Sequence, residues 1–113
     1  MKINERIDGD VGVIALRGKL IGAPETDELH DTIKSLLERN INHIVIDLRY
    51  VSWMGSMGIG ALMRCLLTVR NKGGDLRLSG LTDKLESLFS ITRLIGIMQI
   101  FKSTSQAVES FNA

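Results

Sequence analysis

Residues 44–63 read IVIDLRYVSWMGSMGIGALM, a segment that begins as a strand and ends as a helix. His43-Ile44-Val45-Ile46-Asp47-Leu48 is almost unbroken in apolar, β-branched residues, the pattern of a central strand covered on at least one face. Gly55-Ser56-Met57-Gly58-Ile59-Gly60 follows, with three glycines, one hydroxyl and one thioether. A helix from about Ser56 to Lys72 then buries Ala61, Leu62, Cys65 and Val69, widened by Leu66, and turns Arg64, Arg70 and Lys72 to water. Strand, tight turn and helix in that order are the unit of an α/β fold.

The flanking segments extend the same alternation. Upstream, Ile3 and Ile7 share a face, Asp8-Gly9-Asp10 supplies turn chemistry, and Val11–Leu16 is a second strand, which together predict a hairpin. Gly18 to Ala23 reads as a loop. Pro24 suits a first helical position, with Glu25 and Asp27 in the first turn, where the helix dipole favours negative charge. Leu29, Ile33, Leu36 and Leu37 form the apolar stripe of that helix, and Glu38-Arg39-Asn40 lets it stop.

Downstream, Gly73-Gly74 ends the central helix and Asp75–Ser79 alternates as a strand. Asp83 and Glu86 have the spacing of a capping box, opening a short helix through Leu85, Leu88 and Phe89. A short strand near Met98–Ile100 precedes Ser103-x-x-Gln106, a second capping box, with Val108 and Phe111 as inward contacts of a last helix. The order β-β-α-β-α-β-α-β-α predicts an α/β fold: one domain over residues 1–113, a mixed, mostly parallel sheet with an N-terminal hairpin, and about four packed helices.

Composition narrows the function. The chain has 113 residues, 44% of them apolar and 24% charged, as in a globular protein. Its formal charge is +1, from 14 basic and 13 acidic residues, so no global field draws it to nucleic acid or to a membrane surface. Cys65 stands alone, which excludes an intrachain disulfide. MKINERIDGD lacks the apolar core of a signal peptide, and no apolar run has the length of a membrane span, so the expected location is the cytoplasm.

The glycine turn fails two familiar tests. A phosphate-binding P-loop ends in Gly-Lys-Ser/Thr, but Gly60 is followed by Ala61-Leu62. A dinucleotide fingerprint requires a glycine where Met63 stands. What remains is a bare turn at a helix N-terminus whose hydroxyl, Ser56, has two readings: an N-cap, or an acceptor for phosphate. His30 and His43 lack ligand spacing, so no metal or cofactor is expected. His30 reads as a solvated helix residue, His43 as a strand-edge residue, and Cys65 and Trp53 as core. No acid, base and nucleophile converge, which argues against an enzyme.

The stretches IVIDLRYVSWMGSMGIGALM, NKGGDLRLSGLTDKLESLFSITRL and FKSTSQAVESF resemble the STAS-domain proteins, the anti-sigma factor antagonists. That resemblance implies partner switching. The antagonist binds an anti-sigma factor that is also a serine kinase of the histidine-kinase-like ATPase type. Phosphorylation of a serine at the start of the central helix breaks the complex, and a serine phosphatase restores it. The family motif is Asp or Asn, two hydroxyl residues, then Gly-x-Gly. Aligned on Gly58-Ile59-Gly60, the acidic or amide position is Gly55, the first hydroxyl is Ser56, and the usual phosphoacceptor is Met57. The family's Gly-Glu-Leu-Asp segment reads Gly18-Lys19-Leu20-Ile21, without its acidic residues.

These departures imply a module that keeps its partner surface, Met54-Gly55-Ser56-Met57-Gly58-Ile59-Gly60, and has lost the usual serine switch. On the same resemblance Lys19 and Ile21 line that end of the sheet. Asp47, read as ending the central strand beside the turn, either touches the partner or receives backbone amides. Two alternatives stand beside this reading: a switch retained at Ser56, and a nucleotide- or small-molecule-binding module using the turn as an anion site. Self-association is left open.

Overall fold

Asp8-Gly9-Asp10 turns the chain with Gly9 at φ +64, a conformation glycine adopts without steric cost. It joins β1 (Lys2–Asp8) to β2 (Val11–Leu20) as an antiparallel pair. The computed structural model describes residues 1–112. β2 continues to Leu20, so the loop expected from Gly18 begins only at Ile21. Two irregularities in register, at Ala15/Arg17 and Gly18/Lys19, let the strand run on, the second using Gly18 at φ +122.

β3 (His43–Met54) lies parallel between β2 and β4 (Asp75–Ser79), and β5 (Ile100–Phe101) completes the order β1-β2-β3-β4-β5. The α/β architecture therefore holds, with a sheet that is parallel apart from its opening pair. β3 runs well past Leu48, where the sequence pattern placed its end. Its pairing with β4 stops at Asp47↔Ser79, whereas pairing with β2 continues to Leu20↔Met54. Beyond β4 and the last β1 pair, Lys2↔Arg17, β2 and β3 thus project together as a two-stranded ribbon that carries the glycine turn.

α1 (Glu25–Glu38), α2 (Ser56–Asn71) and α3 (Asp83–Ile91) cover one sheet face. Leu29, Ile33 and Leu36 of α1, Leu62, Cys65, Leu66 and Val69 of α2, and Leu85 and Phe89 of α3 pack on Ile14, Leu16, Ile44 and Ile46. Each such side chain contributes about 1.5–3 kcal/mol when fully buried. The opposite face carries α4 (Thr104–Ser110), whose Ala107 and Val108 meet Val11, Val13 and Val45. Alternate residues of β2 and β3 serve the two clusters, as a two-residue period requires.

Helix ends follow local chemistry, with shifts. Pro24 precedes α1 instead of opening it. α3 is capped by Thr82, whose side chain accepts from the Leu85 amide at 3.3 Å, so the box expected on Asp83 does not form. The box on Ser103 does form, with Ser103 Oγ accepting from the Gln106 amide at 3.2 Å and Gln106 Oε1 from the Ser103 amide at 3.3 Å. Met98, expected in the last strand, is buried in the core behind a 3-10 turn at Leu94–Gly96, and β5 starts two residues later.

Candidate functional site

At the tip of the ribbon the Gly55 amide donates to the Leu20 carbonyl at 3.1 Å, and the Ile59 amide then donates to the Gly55 carbonyl at 3.0 Å as α2 begins. Gly55 is the N-cap, in extended backbone, and no side chain caps the helix. Ser56 is therefore the first helical residue and not the cap; its hydroxyl is exposed beside first-turn amides that no side chain receives. The first turn carries no acidic residue, so no charge of α2 itself offsets the positive end of its dipole.

The seven residues of the proposed partner surface are unequally exposed. Met54 is fully buried, because the strand pleat points it into the core below the turn. Gly58 is buried as well: a β-carbon there would collide with the Leu20 carbonyl oxygen and stand 2.8 Å from Met54 Cγ. Neither presents surface to a partner; they seat the turn. Ile59 is half-buried against the core. Ser56, Met57 and Gly60 face outward, and Met57 is 61% exposed.

Lys19 and Ile21 lie at this end of the sheet. Ile21 is 52% exposed, and its Cγ2 is 3.9 Å from the point a β-carbon on Gly55 would occupy. Met57 Sδ comes within 3.6 Å of the corresponding point on Gly22, so Ile21, Gly22 and Met57 form one apolar surface. A shallow depression beside Met57 is lined by Thr26, Asp27, Gly60 and Arg64. The sequence pattern gives Asp27 to a helix dipole and Arg64 to solvent; only their spatial convergence on Met57 marks them as neighbours of this surface.

Trp53, expected in the core, is 42% exposed opposite Lys19. The buried contacts of α4 on its face are with Val11, Val13 and Val45, and Trp53 lies further along the ribbon, beyond them. Tyr50 is likewise exposed, with the guanidinium carbons of Arg17 and Arg49 lying 4.6 and 5.1 Å from its ring centre.

Asp47 is not at the turn. It sits mid-strand in register with Ala15 and Ser79, is nearly buried, and accepts the Arg49 amide through Oδ1 at 2.9 Å and the Arg49 guanidinium through Oδ2 at 3.2 Å. It receives a backbone amide, which is one of the two roles open to it from sequence. His30 is half-buried between α1 and α2, 3.3 Å from Thr68 Oγ1, and not simply solvated. Burial first, then the charges of Arg64 and Lys34, hold its imidazole below the usual pKa. His43 is the first residue of β3, at the edge of that strand, and stacks on Phe111 with ring centres 4.6 Å apart. Cys65 is buried, and desolvation pushes its thiol up to about 12. Among the described residues, no three His, Cys, Asp or Glu side chains converge on a metal position, and no helix is long and apolar enough to cross a membrane.

A family model for the STAS domain matches residues 2–107. The chain is similar to the anti-sigma-B factor antagonist of Listeria monocytogenes, with 42% identity over 55 residues, 49% of this chain and 48% of the relative. It is also similar to the anti-sigma-B factor antagonist of Bacillus subtilis, with 36% identity over 64 residues, 57% of this chain and 59% of the relative. The chain spans about half the length of the curated relatives it matches. Its fold is that of an anti-sigma factor antagonist from Mycobacterium paratuberculosis, with a TM-score of 0.86 and 16% identity, covering 99% of this chain and 94% of that one.

Proposed function

The chain belongs to the STAS domain family, and from that premise we propose that it is an anti-sigma factor antagonist: a regulatory, non-catalytic module of the cytoplasm. It docks on an anti-sigma factor of the kinase-like ATPase type through the outward residues at the start of α2. The observation that carries this reading is the exposure of Met57, continuous with Ile21, at the position where the family motif has its phosphoacceptor. A thioether accepts no phosphoryl group in kinase chemistry, and it gives a soft, adaptable apolar contact. A phosphate here would add nearly two negative charges to an apolar surface beside Asp27 and so oppose docking. With methionine in place, binding is constitutive, and no phosphatase is needed to reset it.

A second reading is favoured by the free hydroxyl of Ser56. It is exposed, makes no capping bond, and adjoins unreceived amides that suit an anion. In that reading a kinase releases the chain by modifying Ser56, and a serine phosphatase restores binding.

Affinity capture of the chain with a kinase-type anti-sigma factor from the same cell, with and without ATP, followed by intact-mass measurement, separates the two. Constitutive docking predicts a complex in both conditions and no added phosphate. Stoichiometric phosphate on Ser56 with loss of the complex establishes the second reading, and no complex in either condition defeats both.

A further inference from the structure

We propose that the open edge of β1 is a self-association surface, on which β1 pairs antiparallel with the same strand of a second copy of this chain. β1 is paired along all seven of its residues with β2 and, among the described residues, has no strand on its other side. The two-residue turn Gly9-Asp10 closes on Asp8↔Val11, the position that a two-residue hairpin makes a hydrogen-bonded pair. Bonding to β2 therefore uses Lys2, Asn4, Arg6 and Asp8, and the amides and carbonyls of Ile3, Glu5 and Ile7 point outward. Among the described residues, no other backbone hydrogen bond engages those three.

The sequence Lys2-Ile3-Asn4-Glu5-Arg6-Ile7-Asp8 is complementary to its own reverse. Centred on Glu5, an antiparallel pair of copies sets Lys2 opposite Asp8, Ile3 opposite Ile7 and Asn4 opposite Arg6. The outward-bonding residues then meet one another, as a ladder requires. Opposite charges and apolar pairs directly across strands are stabilising. Ile7, 46% exposed in the single chain, meets Ile3, which is half-buried against the core.

Neighbouring registers lose these pairings. A shift that centres Asn4 sets Lys2 against Arg6, and one that centres Arg6 sets Arg6 against itself. Charged edge strands ordinarily repel other strands; here the one register that pairs all seven residues turns that charge into attraction. Its single like-charge contact, Glu5 with Glu5, is offset because each Glu5 carries its own ion pair with Arg39 of α1 at 3.2 Å.

The helices fit. α1 packs over β2, where a β-carbon on Gly12 would stand 3.1 Å from Leu36 Cδ1. In the paired sheet the two β2 strands lie three strand spacings, about 14 Å, apart. That separation admits two helices of about 10 Å diameter side by side. The pairing uses neither Met57 nor Ile21, so it is independent of the docking surface proposed above.

Sedimentation equilibrium of the full chain over a concentration series tests the proposal. Mass should rise from 12.5 kDa toward twice that value, and Ile7→Lys should move the midpoint to concentrations about tenfold higher or more. Under mild oxidation Glu5→Cys should cross-link to its own copy at least about tenfold faster than Ile7→Cys, whose two copies are not opposed in this register. The buried native Cys65 should take no part in either. The mass of a single chain throughout, an unchanged midpoint for Ile7→Lys, or equal cross-linking by the two cysteine variants would overturn the proposal.

Discussion

Gly58 of α2 rests directly on the carbonyl oxygen of Leu20 at the end of β2. No side chain intervenes, so the helix begins against strand backbone and the turn between them is short. The missing side chain fixes where Ser56 and Met57 emerge, and it links the glycine pattern to the exposed surface.

Gly58 and Gly60 should therefore respond oppositely to alanine. At Gly58 the new methyl meets backbone that cannot move aside, and urea denaturation should show a loss of about 1–3 kcal/mol. At Gly60 nothing lies within 4 Å. There alanine should stabilise the helix by about 0.5–1 kcal/mol, because glycine costs more chain entropy. Equal effects at the two positions would contradict the packing described.

Asp47→Ala should cost about 1–3 kcal/mol, since it leaves the Arg49 amide without its acceptor beside a nearly buried site. Affinity for the partner should not change, because Asp47 lies in mid-strand away from Met57. A loss of affinity with unchanged stability would return Asp47 to the docking surface.

The Cys65 thiol should resist alkylation in the native state at neutral pH and react freely in denaturant. Its pKa is raised from the ordinary 9.0 to about 12 by desolvation. The unfolded chain therefore loses this proton first as pH rises. The stabilising effect of the buried neutral thiol is complete below pH 9 and is lost between there and about 12, at up to about 1.4 kcal/mol per pH unit. The stability advantage of the wild type over Cys65→Ala, followed by denaturation at increasing pH, should shrink across that window and not below it.

Much of the fold was legible in the sequence. The 3.6-residue stripes of α1 and α2, the turn at Gly9 and the box on Ser103 depend on near neighbours, and each appears in the structure. Long-range pairing was not legible. Nothing local in Arg49–Met54 says that β3 outruns β4, yet that overhang exposes Trp53 and removes Asp47 from the turn. Within the glycine turn, the residue types identified a special backbone but not which residues face inward. Met54 and Gly58 look as available as Met57 until the Leu20 carbonyl is placed beneath them. The cap assignment shifted by one residue at both Ser56 and Asp83, because Gly55 and Thr82 hold the extended backbone that a cap requires.

The central claim is that an uncharged residue at position 57 keeps this surface permanently competent to dock. The most direct test is calorimetric titration of a kinase-type anti-sigma factor from the same cell with the wild-type chain and with Met57→Asp. The wild type should bind equally before and after incubation with that kinase and ATP. Met57→Asp should unfold at a similar denaturant concentration but bind at least about tenfold more weakly, a loss of about 1.4 kcal/mol. Undiminished binding by Met57→Asp, or a wild type that lets go of its partner after incubation with ATP, would contradict the account.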